Sequence, residues 1–275
     1  MPSSRPVFFI SDHTGLTAEV IGKSLLSQFS GQHFQIHNLP FIDSLDKIRA
    51  AVTRIDTTAR ECGRHPLVVA TLTDPSAREL LKTCDALVMD IYGHFLGMLE
   101  SELGAAPQPR RGRAHGMQDL GAYHSRMDAV NFTLDADDGL NPGKYAVADL
   151  ILAGVSRSGK TPTSLYMAMQ YGLRVANYPL TQDDFDRPGL PPLLHPHLGK
   201  LWGLTLAPER LAQIREERRP GSRYATLETC RRELHEAAVR LHAAGVPVVD
   251  STHRSVEEIA ALIKQSLPPP PHQEI

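Results

Sequence analysis

Cysteine is scarce in this chain of 275 residues: Cys62, Cys84 and Cys230 are odd in number, far apart and form no CxxC pair. That spacing argues against a disulfide framework or a cysteine zinc site and suits a reducing compartment. Long hydrophobic runs are missing as well. The apolar stretch Val7–Ile10 after Arg5 is too brief for a signal-peptide core, and no other stretch reaches the roughly 20 residues that span a bilayer. Nor is there an excess of one charge: a formal net charge of -2, mixed in sign along the chain, creates no field that would draw nucleic acid or an anionic membrane. HExxH spacing is absent, so His195 and His197 are assigned no metal, and no repeat occurs at solenoid periods. The expectation is a cytoplasmic protein with neither nucleic acid nor membrane as partner.

What is present is alternation. Pro6–Ile10 is a short apolar run that stops at the polar turn Ser11-Asp12-His13-Thr14-Gly15, and Leu16, Val20, Ile21, Leu25 and Leu26 then recur at helical intervals. The pattern repeats with Phe34–Ile42 and a helix through Leu45, Ile48, Val52 and Ile55. It repeats again with Leu67–Ala70 and a helix opened by Asp74-Pro75, and once more with Ala86–Ile91 and a helix running towards Gly104. Uninterrupted apolar strands between amphipathic helices imply a parallel sheet covered on both faces with right-handed crossovers.

Residues 104–116 hold two prolines, several glycines and Arg110-Arg111-Gly112-Arg113, a composition unable to supply a core. Beyond them, Asp149–Ala153, Arg174–Leu180, Leu201–Leu206 and Val246–Asp250 read as strands. Helices are expected through Leu165–Tyr171, over Pro208–Arg219, and over Leu227–Ala244 ending at Gly245; a last one starts at the capping box formed by Ser255 and Glu258. The fold class expected is α/β: a Rossmann-like parallel-sheet domain over residues 1–110 and a P-loop-containing α/β domain over 146–267. Residues 111–145 are expected to be a linker and connecting segment, and 268–275 a disordered tail.

The chemistry concentrates at Gly154-Val155-Ser156-Arg157-Ser158-Gly159-Lys160-Thr161, a full match to G-x-x-x-x-G-K-[ST] between a buried strand and a helix. A chance match in a chain of this length has a probability on the order of 1% before that context is required. Glycines let successive backbone N–H groups converge on phosphate oxygens at a helix N-terminus, where the dipole favours negative charge. Lys160 adds a mobile positive charge, Thr161 offers its hydroxyl to Mg2+, and Pro162 sits in the first turn, where a missing N–H costs little. A bare capping turn would have no use for the lysine and threonine together.

Other candidates stay open at this level. Arg157 either contacts a transferring phosphoryl group or faces solvent. Asp12 or His13, in a second strand-to-helix turn, could move a proton, or Asp12 merely caps its helix. Asp250 ends a strand as a magnesium-binding carboxylate would, but also as a turn aspartate would, and Asp183, Asp184 and Asp186 compete for the same task. Arg210, Arg215, Arg218, Arg219 and Arg223, mixed with Glu209, Glu216 and Glu217, form a solvated helical face, a lid over phosphates, or a docking surface.

Nearly the whole chain resembles a family, the bifunctional regulatory proteins of phosphoenolpyruvate synthase and of pyruvate, phosphate dikinase. The likeness rests on Phe8 through Glu19, Asn131 through Gly139, Gly154 through Ser164 and Ala176 through Leu180. Arg215–Arg219 followed by Ser222–Ala225 resembles the synthase branch. The resemblance implies two opposed reactions on one threonine of the target: an ADP-dependent phosphorylation that inactivates it, and a phosphate-dependent dephosphorylation that releases pyrophosphate. It places the nucleotide on Gly154 through Thr161 and makes a homodimer the expected assembly. His13 stands where many relatives carry glycine, which leaves Asp12 the better proton carrier, beside Lys160 and Arg157, in the expected catalytic set. A dikinase regulator, a small-molecule P-loop kinase and a non-catalytic nucleotide-gated binding protein are the competing functions.

Overall fold

A computed structural model of the chain describes residues 4–108 and 120–267. The chain divides into two compact units between Gln118 and Asp119. The first contains β1 (Arg5–Ser11), α1 (Leu16–Leu26), β2 (Phe34–Leu39), α2 (Leu45–Cys62), β3 (Leu67–Thr71), α3 (Pro75–Leu81), β4 (Leu87–Asp90) and α4 (Ile91–Leu103). Its four strands are parallel in the order β2-β1-β3-β4. Period-two alternation splits the strand residues between two layers. Val7, Phe9 and Val69 pack on Ala18 and Leu26 of α1, whereas Phe8, Ile10, Val68 and Ala70 pack on Ile48 and Ile55 of α2 and Ala77 and Leu81 of α3.

The second unit opens with α5 (Leu120–Asp135) and two 3-10 turns, Asp137–Gly139 and Pro142–Val147. It continues with β5 (Leu150–Val155), α6 (Lys160–Tyr171), β6 (Val175–Leu180), α7 (Gln182–Phe185), β7 (Leu201–Thr205), α8 (Pro208–Arg218), α9 (Leu227–Ala243), β8 (Val248–Asp250) and α10 (Val256–Gln265). The order β6-β5-β7-β8, again parallel, repeats the topology of the first unit. Ile151, Ala153 and Val155 face Leu211 of α8 and Leu234 and Leu241 of α9, while Leu150 and Leu152 face Met167 of α6 and Ile259 and Ile263 of α10. In both sheets the chain leaves the first strand in one direction and returns to its other side, so the loops after β1 and β5 open at topological switch points, the usual ligand side of such sheets.

The expected α/β architecture is what folds, with local corrections. The stretch 120–145 is no mere connector: Thr133 is buried on the strand side of α5 and its hydroxyl accepts from the Val175 amide at 3.2 Å. β2 stops at Leu39 rather than Ile42 because Pro40 has no N–H to continue a ladder and Phe41 turns to φ 58°. β8 begins at Val248, after Pro247, for the same reason. The Arg110–Arg113 segment and the tail 268–275 lie outside the described residues. No helix among the described residues is long and apolar enough to cross a membrane.

Candidate active site

Six consecutive buried residues of β5 deliver the chain to its glycine loop, and α6 starts at Lys160 directly behind Gly159. Gly154 lies where only glycine fits, since a Cβ there would stand 2.5 Å from the Leu204 carbonyl oxygen and 2.8 Å from the Ser158 hydroxyl. Gly159 caps α6 at φ 96°, a conformation that side chains rarely adopt. Arg157 is also left-handed, at φ 75°, although it carries a side chain. Alternating right- and left-handed residues curl a backbone so that its amides converge, and the first-turn amides of α6 have no partner within the helix.

Lys160 is buried, only 4% exposed, and its Nζ donates to the Val155 carbonyl at 3.0 Å. The ammonium therefore sits inside the curl of the loop, with donor capacity beyond that one bond. Burial pushes its pKa down to about 8, opposed by the negative charges of Asp138 and Asp137. A polyphosphate in the curl would supply the missing counter-charge. The Ser158 hydroxyl, buried in the same loop, has no hydrogen-bond partner among the described residues. A cradle that a Cβ would fill, an under-neutralised ammonium and an orphan hydroxyl fit the phosphates of a nucleotide.

Thr161 donates its hydroxyl to Asp137 Oδ1 at 2.8 Å. Asp137 also accepts from the side-chain amide of Asn177, a fully buried residue of β6 whose Oδ1 accepts from the Asp138 amide at 2.9 Å. Asn177 thereby pins the turn after α5 beside the first residues of α6. A hydroxyl next to a carboxylate is a hard oxygen donor pair suited to Mg2+ once phosphate oxygens complete the shell. No cluster of three or more His, Cys, Asp or Glu that could hold a metal exists among the described residues.

The other acidic candidates have local work. Asp250 accepts from the amide of Thr252 at 2.8 Å and from its hydroxyl, and those bonds hold its carboxyl below the usual range, as in a turn aspartate. Asp184 closes a capping box with Thr181 and accepts from the Tyr178 hydroxyl at 2.8 Å. Asp186 accepts from Gln182 at 2.8 Å, and Asp183 is exposed in α7. Asp137 went unremarked as a ligand in the sequence, because its partners Thr161 and Asn177 lie 24 and 40 residues away.

Arg157 is exposed, on the solvent side of the loop. Asp12 stands in the first unit, buried after β1, where it accepts from the Thr73 amide at 2.8 Å and from the Thr73 hydroxyl. It does not cap α1, whose N-cap is Gly15 with no side-chain bond. Neighbouring His13 is half-buried. The arginine-rich segment splits in two. Arg210, Arg218, Arg219 and Arg223 are exposed, as on a solvated face, whereas Arg215 is fully buried and donates to the Ser156 carbonyl at 3.1 Å.

Residues 7–263 match the family described as kinase/pyrophosphorylase. The chain belongs to the kinase/pyrophosphorylase family. A relative from Burkholderia thailandensis is 49% identical over 95% of this chain and 96% of its own. One from Azoarcus sp. strain BH72 is 50% identical over 96% of this chain and 95% of its own, and one from Aromatoleum aromaticum is 49% identical over the same shares. All three carry the provisional name phosphoenolpyruvate synthase regulatory protein. The resemblance read from the sequence is borne out. As a kinase/pyrophosphorylase the chain is an enzyme of the phosphotransferase type.

Proposed function

We propose that the chain phosphorylates a threonine of phosphoenolpyruvate synthase with ADP, inactivating it, and removes that phosphate with inorganic phosphate, releasing pyrophosphate. The observation that carries this reading is the Lys160 ammonium, buried inside the loop Gly154–Thr161, where its one hydrogen bond among the described residues is to the Val155 carbonyl. The family to which the chain belongs supplies both halves of the chemistry in its description, and the relatives' names supply the target.

In the kinase direction the threonine Oγ forms a bond to the terminal phosphorus of ADP, the bridging P–O bond breaks, and AMP leaves. In the other direction an oxygen of inorganic phosphate attacks the phosphothreonine phosphorus, and the threonine oxygen leaves as pyrophosphate forms. Both transition states are loose, so alignment and charge neutralisation dominate. Lys160 and the loop amides hold the non-transferred phosphate in either case, which lets one cradle serve both reactions. Thr161, steadied by Asp137, would hold Mg2+, which neutralises phosphate charge when bound. Arg157, exposed in the loop, would meet the transferring group in this reading.

A carboxylate must take the threonine proton and later return it. Asp138 is the candidate within the second unit: it is exposed at φ 48°, its backbone N–H donates to Asn177 Oδ1 at 2.9 Å, and its carboxylate has no hydrogen bond among the described residues. Asp12 is the second candidate. Chains assemble as homodimers in the cytoplasm in this reading.

Incubation of the purified chain with the synthase and ADP, followed by mass spectrometry, tests the proposal. A phosphothreonine on the synthase, lost again on adding phosphate with release of pyrophosphate, is the expected result. Lys160→Ala should abolish both reactions, and persistence of either would separate the sites. Label on a small metabolite, or on nothing, would replace the reading by a metabolite kinase or a nucleotide-gated binding protein.

A further inference from the structure

Arg215 is the largest fully buried side chain among the described residues, at 0% exposure in α8. Its terminal nitrogens are engaged on every side. One donates to Glu233 of α9 at 2.7 Å and to the Ser156 carbonyl at 3.1 Å; the other donates to the Tyr224 carbonyl at 3.1 Å and contacts the Cys230 sulfur at 3.8 Å. The guanidinium lies 4.0 Å over the Tyr224 ring, and the Tyr224 hydroxyl donates to the Ser156 hydroxyl at 2.8 Å. Its Nε, also buried, finds no partner among the described residues.

A buried ion pair with an orphan N–H is a poor device for stability, since apolar side chains of similar volume usually serve as well or better. What an apolar side chain would lose here is the grip on the phosphate loop. The Ser156–Arg157 peptide is trans, so a carbonyl drawn towards Arg215 turns the Arg157 N–H the opposite way, away from α8 and α9. The same tether meets the loop one residue before the left-handed Arg157, where the backbone requires outside support.

We infer that Arg215, braced by Glu233 and Tyr224, is a positioning residue that sets the Ser156–Arg157 peptide and so shapes the loop for phosphate. It touches no substrate. The inference rests on the reading of that loop as the phosphate site, and it assigns α8 and α9 a part in affinity for every phosphate ligand the loop takes.

The test compares the full-length wild type with Arg215→Lys, Glu233→Gln and Tyr224→Phe. Calorimetry with magnesium-ADP and with inorganic phosphate gives the affinities, steady-state assays separate KM from kcat, and circular dichroism monitors the helices. Loss of a charge-assisted hydrogen bond should weaken both ligands by about tenfold in Arg215→Lys and Glu233→Gln, with a smaller loss in Tyr224→Phe. KM for ADP and for phosphate should rise together while kcat stays within about twofold. The Arg157 amide resonance should move on adding phosphate to the wild type and respond less in Glu233→Gln. If Arg215→Lys does not fold, the Glu233 and Tyr224 variants decide the matter. Folded variants with wild-type affinities and an unchanged Arg157 response would overturn the inference while leaving the phosphate site standing; a wild type that binds neither ligand would overturn both.

Discussion

The hydroxyl of Thr161 and the carboxylate of Asp137 meet at 2.8 Å, joining the first turn of α6 to the 3-10 turn that follows α5. Asn177 locks the pair from beneath through its two side-chain hydrogen bonds. The residue expected to hold Mg2+ thus arrives with its acidic neighbour already in place, drawn from a stretch whose composition reads as a connector.

Asp137→Ala is expected to cost stability and metal-dependent affinity together. Removing the carboxylate leaves the buried amide of Asn177 without its acceptor, a loss of about 1–3 kcal/mol, read by denaturant titration. The advantage that magnesium gives to ADP binding should shrink by about tenfold, while binding of free ADP changes less.

Lys160 predicts a specific pH dependence. Burial lowers its pKa from 10.5 to about 8, so the folded chain releases this proton before the unfolded chain does. Between about 8 and 10.5 the unfolded state binds more protons, and stability attributable to Lys160 rises with pH across that window. Below it the buried ammonium is a standing cost of roughly 3 kcal/mol. Lys160→Met should therefore melt higher than the wild type at neutral pH, with the gap closing by the top of the window. Ligand binding runs the other way: phosphate needs the ammonium, so ADP affinity should fall as pH rises through about 8, and binding above that pH should take up a proton. Calorimetry in buffers of different ionisation enthalpy measures that uptake.

The first unit contains a tight helix-to-strand approach that offers an independent check. Gly22 of α1 lies over Phe9, and a Cβ there would stand 2.2 Å from the ring. Gly→Ala in a helix ordinarily stabilises by up to about 1 kcal/mol. Gly22→Ala should instead destabilise by about 1–3 kcal/mol, because α1 must lift from β1. A rise in melting temperature would contradict that packing.

Much of this was legible in the sequence, because the signals were local. Leu16 to Leu26 form α1 as their spacing predicts, although Leu16, Val20 and Leu25 of the expected stripe are exposed and Ala18, Gly22 and Leu26 make the buried face; Ser255 with Glu258 forms the capping box that opens α10. Gly154 through Thr161 needed only eight adjacent residues and a strand before them. Long-range relations were hidden. Asp137 takes its meaning from Thr161 and Asn177, neither of which is near it in sequence. Arg215 looked like its exposed neighbours, although its position four residues after buried Leu211 puts it on the inner stripe of α8, a signal that could have singled it out. Residues 120–135 were misread because their apolar side chains make no clear helical stripe, and only packing against the rest of the second unit settles them as α5.

The central claim is that Lys160 and the amides around it grip a polyphosphate, and titration of magnesium-ADP into wild-type and Lys160→Met protein at neutral pH tests it most directly. The account predicts heat of binding for the wild type and an affinity at least about tenfold lower for the variant, the loss expected when a charged hydrogen-bond donor is removed. Equal affinities in two folded proteins would contradict it.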